Sequence, residues 1–117
     1  MSYTLYGIPN CGTVKKARTW LTENGIEFTF HNFKKEGLEE SKVKAWLSQE
    51  PPEVLVNNRG TTFRKLEDHQ KQNFKDKEMA FEIMTGNSSV IKRPVLEKDE
   101  VVIAVGFKPE MYSEIFG

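Results

Sequence analysis

The spacing of apolar residues changes several times along the chain, and each change marks an element. Thr4 to Ile8 mix apolar and β-favouring side chains and stop at Gly7 to Pro9, which predicts a short strand closed by a turn. From Thr13 to Asn24 the apolar positions Val14, Ala17, Trp20 and Leu21 recur at intervals of three and four. That is the stripe of a one-sided helix, and Asn24-Gly25 supplies its stop. The period then drops to two: Ile26, Phe28, Phe30 and Asn32 fall on one face and Glu27, Thr29, His31 and Phe33 on the other, predicting a second strand. The result is a β-α-β unit, expected to be right-handed and parallel because a twisted strand feeding a right-handed helix packs back on the sheet that way.

Leu38 to Ser48 carries Leu38, Val43, Ala45, Trp46 and Leu47 and ends at Pro51-Pro52, which reads as a helix. A third helix is expected over Phe63 to His69 and a fourth over Lys77 to Thr85, before Gly86-Asn87. Pro94 to Glu97 is extended, Lys98-Asp99-Glu100 is a polar turn, and Val101 to Val105 is an apolar, largely β-branched run, so these segments predict a hairpin. A last helix is expected from Pro109 to about Phe116. The order β-α-β then β-β-α around a mixed sheet is that of the thioredoxin-like fold, an α/β class, here with a helical insertion at approximately residues 38–87. A single domain over residues 1–117 is expected.

Composition narrows the range of functions. Lys plus Arg and Asp plus Glu are both 17, giving a formal net charge of zero, so the totals point to no nucleic acid and no anionic membrane as partner. No apolar run approaches the roughly 20 residues that span a bilayer, and the amino terminus lacks the basic and apolar regions of a signal peptide. A cytoplasmic monomer is the expectation. There is one cysteine, Cys11, so no internal disulfide, dithiol switch or Cys-rich zinc site can form. No bound cofactor and no metal are expected. If Cys11 is oxidised in turnover, the thiol that restores it comes from outside the chain.

Cys11 lies in Gly7-Ile8-Pro9-Asn10-Cys11-Gly12-Thr13, between the end of a strand and the first turn of a helix. Unpaired amides and the positive end of the helix dipole stabilise an anion there, which converts a thiol into a nucleophilic thiolate. Gly12 lets a substrate approach the backbone, Thr13 offers its hydroxyl to the sulfur, and Lys15 and Lys16 add positive charge nearby.

Three stretches give the chain a family resemblance: Tyr6 to Thr13 with Lys16-Ala17-Arg18, then Asn57 to Leu66, then Ile91-Lys92-Arg93-Pro94-Val95-Leu96. A fourth is Val105-Gly106-Phe107. Together they resemble the arsenate reductase and Spx family, and within it the YffB-like proteins. The resemblance spans essentially the whole chain and implies Cys11 as nucleophile. It also implies that the Arg-Pro pair opens a strand with a cis proline, Pro94, beside the cysteine, and that Arg93 reaches a bound oxyanion. A guanidinium suits that task because it presents a fixed fork of donors to a carboxylate or oxyanion.

The same resemblance narrows the reaction. Glutaredoxin-linked arsenate reductases carry three arginines around the cysteine, and this chain matches them at Arg93. The first arginine's position falls at Asn57, with Arg59 two residues away, and the third falls near Gly106-Phe107, where there is no arginine. The resemblance therefore points to a thiol reductase with glutathione as co-substrate ahead of arsenate turnover, with a glutaredoxin-linked arsenate reductase as an alternative. Asn10, Gly12, Thr13, Arg59, Arg93 and Pro94 form the substrate or glutathione site, and glutaredoxin is a further candidate partner. The Spx regulators use a Cys-x-x-Cys switch, which Val14 rules out here, although binding to RNA polymerase independent of redox state stays an alternative. His31 and His69 lack metal-ligand spacing and read as structural. Lys34-Lys35, Lys71, Lys75 and Lys77 read as solvent-facing charge.

Overall fold

The computed structural model describes residues 2–117. Along the chain run β1 (Tyr3–Gly7), α1 (Gly12–Glu23), β2 (Thr29–Asn32), α2 (Phe33–Glu36), α3 (Glu40–Gln49), α4 (Pro52–Leu55), α5 (Thr61–Arg64), α6 (Asp68–Asn73), α7 (Lys77–Gly86), a 3-10 turn at Ser88–Val90, β3 (Val95–Lys98), β4 (Val101–Val105) and α8 (Pro109–Phe116). Two compact units divide these elements: Met1–Gly37 with Arg93–Gly117, and Leu38–Lys92.

The first unit holds the sheet, in strand order β2-β1-β3-β4. β1 pairs parallel to β2, as the β-α-β pattern predicts, and antiparallel to β3, which in turn pairs antiparallel to β4. Register places Phe30 beside Leu5, Leu5 beside Leu96, and Leu96 beside Ala104, so one row of side chains crosses all four strands. Ala17 and Leu21 from α1 and Tyr112 from α8 close over that row, and Leu5, Ala17, Leu21, Leu96 and Tyr112 lose all contact with solvent. Such burial, about 1.5–3 kcal/mol for each large aliphatic side chain, is what the three-and-four spacing of α1 encodes.

Two backbone details fix the end of the sheet that carries the cysteine. A Cβ on Gly7 would stand 2.8 Å from Val14 Cγ2, so only glycine lets the end of β1 meet the first turns of α1 at this spacing. Gly106, with φ at 81°, donates its amide to the Pro94 carbonyl at 2.8 Å and ties the end of β4 to the start of β3.

Tyr112 is fully buried among Trp20, Phe107 and Phe116, with ring centroids 4.7–6.2 Å away. Its hydroxyl has no hydrogen-bond partner among the described residues, and burial pushes the phenol far above its usual range. A buried hydroxyl without a partner costs about 1–3 kcal/mol. Tyr112→Phe is therefore expected to stabilise the protein by about 1 kcal/mol. A higher urea midpoint at unchanged slope would show it; a lower midpoint would contradict it.

The second unit is helical. Val43, Trp46 and Leu47 on α3 and Ala80, Ile83 and Met84 on α7 are buried, and an isolated bridge pairs Val56 with Ile91. Its details depart from the sequence reading in two places. The single helix expected over Phe63 to His69 is two, α5 and α6, because Glu67 ends the run by capping the next helix: its side chain accepts from the Gln70 amide while Gln70 reaches back to the Glu67 amide. Pro52, taken as part of a stop, is the first residue of α4.

In the first unit, the second strand is shorter than the expected Ile26 to Phe33. Pairing with β1 covers Thr29–Asn32, and Asn32 then caps α2 by accepting from the Lys34 and Lys35 amides.

Candidate active site

Asn10, Cys11, Gly12, Thr13, Arg93 and Pro94 belong to the first unit, and Arg59 to the second. Cys11 is the N-cap of α1, with φ −96° and ψ 124°; its amide donates to the Ile8 carbonyl at 3.4 Å and its carbonyl accepts the Lys15 amide at 3.0 Å. The helix therefore begins on the cysteine, and the twelve residues of α1 align their amides toward it. The sulfur is half-buried.

Partial burial pushes the Cys11 thiol up. The Val14 amide, a hydrogen bond from the Arg93 side chain, the Thr13 amide and the positive charge of Arg93 together outweigh it, and the thiol sits below its ordinary value.

Two expectations change. Thr13 serves the sulfur through its backbone amide, whereas its hydroxyl was the expected donor. Val14, read from the sequence as a core residue, is buried and also supplies the leading amide. A backbone donor leaves no mark in residue identity; the only signal available was its place in the first turn of a helix.

Arg93 is half-buried and precedes Pro94 across a cis peptide bond. Pro94 is buried and leads into β3. Gly12 is the first residue of α1, and a Cβ there would meet nothing within 4 Å, so the backbone next to the sulfur is open to a ligand. Asn10 is exposed and, with Ile8 and Pro9, forms one wall of a groove of about 520 Å³ whose other wall is Asn32, Lys34 and Lys35.

Arg59 lies in the second unit, exposed on the turn from Asn57 to Gly60, where its amide donates to Asn57 Oδ1 at 3.2 Å. His31 Nε2 lies 2.8 Å from the Gly37 carbonyl, and His69 stands 3.3 Å from Glu67. No group of three or more metal-ligating side chains gathers among the described residues.

The lowered thiol has a pH signature. Alkylation of Cys11 is expected to rise with pH along a curve centred below that of a free cysteine. A group whose folded value is depressed adds stability that is fully present above its unfolded range and is lost as pH falls through the folded value. The stability of the native chain relative to Cys11→Ser is therefore expected to grow as pH rises toward the ordinary thiol range. Iodoacetamide kinetics and urea melts across pH check both; a curve centred at or above that of free cysteine contradicts the assignment.

Residues 6–115 match the ArsC family. The chain belongs to that family. A solved structure of the YFFB protein is 42% identical, with a TM-score of 0.88 and 97% of each chain covered. The solution structure of an arsenate reductase (ArsC) related protein from Brucella melitensis is 47% identical, with a TM-score of 0.80, covering 99% of this chain and 95% of that one. The global transcriptional regulator Spx of Enterococcus faecalis is 32% identical over 110 residues, 92% of this chain and 80% of its own. The ArsC-family likeness agrees with the thioredoxin-like sheet and with the element order around it. No helix among the described residues is long and apolar enough to cross a membrane.

Proposed function

We propose that this ArsC-family protein is a glutathione-dependent thiol-disulfide reductase. The observation that carries the reading is the half-buried Cys11 sulfur at the head of α1, whose anion is favoured by the Val14 and Thr13 amides and by Arg93. The Cys11 thiolate attacks one sulfur of a substrate disulfide. A bond forms between the two sulfurs, the substrate bond breaks, and the departing thiolate takes a proton from solvent. A glutathione thiolate then attacks the outer sulfur of the mixed disulfide, forming a glutathione–substrate disulfide and releasing Cys11 as the thiolate, and a second glutathione thiolate converts that disulfide to oxidised glutathione and the second substrate thiol. Two electrons thus pass from two external thiols to the substrate, as a chain with one cysteine requires. Arg93 raises the fraction of Cys11 present as thiolate and makes it the better leaving group when glutathione attacks, and the open backbone at Gly12 admits the incoming group.

Intact-protein mass after incubation with oxidised glutathione tests the reading. One glutathionyl group is expected on the native chain and none on Cys11→Ser. An unmodified native chain at neutral pH overturns it.

Likeness to the Spx regulator supports a second reading, a partner-binding protein whose contacts do not depend on Cys11. A pull-down with RNA polymerase that is unchanged by Cys11→Ser would favour that reading. Disulfide reduction that vanishes in the same variant favours the first.

A further inference from the structure

The groove beside the nucleophile has a chemical bias. One wall, Ile8, Pro9 and Asn10, is the loop that leads directly into Cys11, and the other is Asn32 with Lys34 and Lys35 at the head of α2. Both lysines are exposed, and neither ammonium has a carboxylate partner among the described residues. The nearest acidic side chain, Glu36, turns back on its own segment: one oxygen accepts the Asn32 amide at 3.0 Å and the other lies 4.0 Å from His31 Nδ1. No acidic residue lines the groove. In a chain with no net charge, two unpaired cations across a groove from the loop that leads into Cys11 form a local field that a balanced total conceals.

We infer that the groove between Ile8–Pro9–Asn10 and Asn32–Lys34–Lys35 receives a carboxylate carried by the group bonded to the substrate sulfur, which makes anionic disulfides the preferred substrates. This rests on the reductase reading above and assigns Lys34 and Lys35 as specificity-determining residues. They touch neither the reacting sulfurs nor Arg93's task. The Asn10 amide group adds a neutral donor to the opposite wall, and the apolar faces of Ile8 and Pro9 accept the thioalkyl stem.

A charge series of disulfides separates this role from a general one. Oxidised glutathione is anionic, hydroxyethyl disulfide neutral and cystamine cationic. The rate constant for Cys11 modification by each is measured in the native chain, in Lys34→Gln/Lys35→Gln, and in Lys15→Gln/Lys16→Gln, whose lysines border a different groove. The first double variant is expected to lose roughly five- to tenfold toward oxidised glutathione, to keep its rate with hydroxyethyl disulfide, and to gain toward cystamine. High salt is expected to produce the same pattern in the native chain. An unchanged preference, or an equal loss in the Lys15/Lys16 variant, overturns the inference.

If Cys11 reacts with no disulfide at all, the reductase reading fails. The groove is then judged by NMR titration of Cys11→Ser with S-methylglutathione. Shifts at the amides of Asn10, Asn32, Lys34 and Lys35 that disappear in the lysine double variant uphold it, and their absence overturns it.

Discussion

Arg93→Ala is expected to slow alkylation of Cys11 at neutral pH by roughly tenfold, the scale set by losing one charge-assisted hydrogen bond. The Arg93 side chain acts on the sulfur twice, as a hydrogen-bond donor and as a positive charge, and both effects favour the thiolate. The Val14 and Thr13 amides remain in the variant, so the thiol stays activated in part. Arg93→Lys separates the two effects: it keeps the charge but loses the planar fork, and an intermediate rate is expected. Far-UV circular dichroism and a urea melt on each variant show whether the fold is kept. A rate equal to the native one would remove Arg93 from the site, and a rise to the native rate at high pH would confirm that the loss lies in ionisation.

Trp46→Ala is expected to destabilise the chain by about 3–5 kcal/mol, the cost of truncating a buried aromatic. Trp46 has no exposure to solvent and sits on α3 in line with Val43 and Leu47, while α7 contributes the buried Ala80, Ile83 and Met84. A loss this large is a substantial fraction of the 5–15 kcal/mol that holds a typical domain together. Trp46→Phe retains most of the apolar volume and is expected to lose less. Urea denaturation followed by circular dichroism measures both, and a Trp46→Ala loss under about 1 kcal/mol would contradict the core assignment.

The parts of the fold legible in the sequence were those where one physical demand set the pattern. α1 reads clearly because Val14, Ala17 and Leu21 must face the sheet. The hairpin reads clearly because β4 is an unbroken apolar run beside a polar turn, although Asp99 and Glu100 both take positive φ without the glycine or asparagine that usually signals it.

Short helices were hidden. α2 has four residues, too few for a period to show, and its signals were local: Asn32 as cap and Gly37 after the last turn, with φ at 81°. The gap between α5 and α6 is masked in the sequence because Phe63 and Leu66 keep a helical interval across it, while the Glu67 and Gln70 cap that divides them is only a local pair of residues.

At the site, the residues that act through side chains, Cys11 and Arg93, were accessible from sequence position and family resemblance. The Val14 amide was not, since it would be the same for almost any residue there. Lys34 and Lys35 were read as solvated charge because their spacing carries no motif, and only the fold places them across a groove from Asn10.

The contact between Gly7 and Val14 has a consequence for how this chain can vary. With 2.8 Å between a would-be Cβ and the Val14 methyl, the two positions share one allotment of space at the base of the cysteine loop. Randomising Gly7 alone should return glycine, since any larger residue displaces the turn of α1 whose amides serve Cys11. Randomising both together should return pairs in which a methyl gained at position 7 is matched by volume lost at position 14. The nucleophile's setting is thus inherited as a two-residue unit, and a selection experiment would detect it as epistasis between positions that touch no substrate.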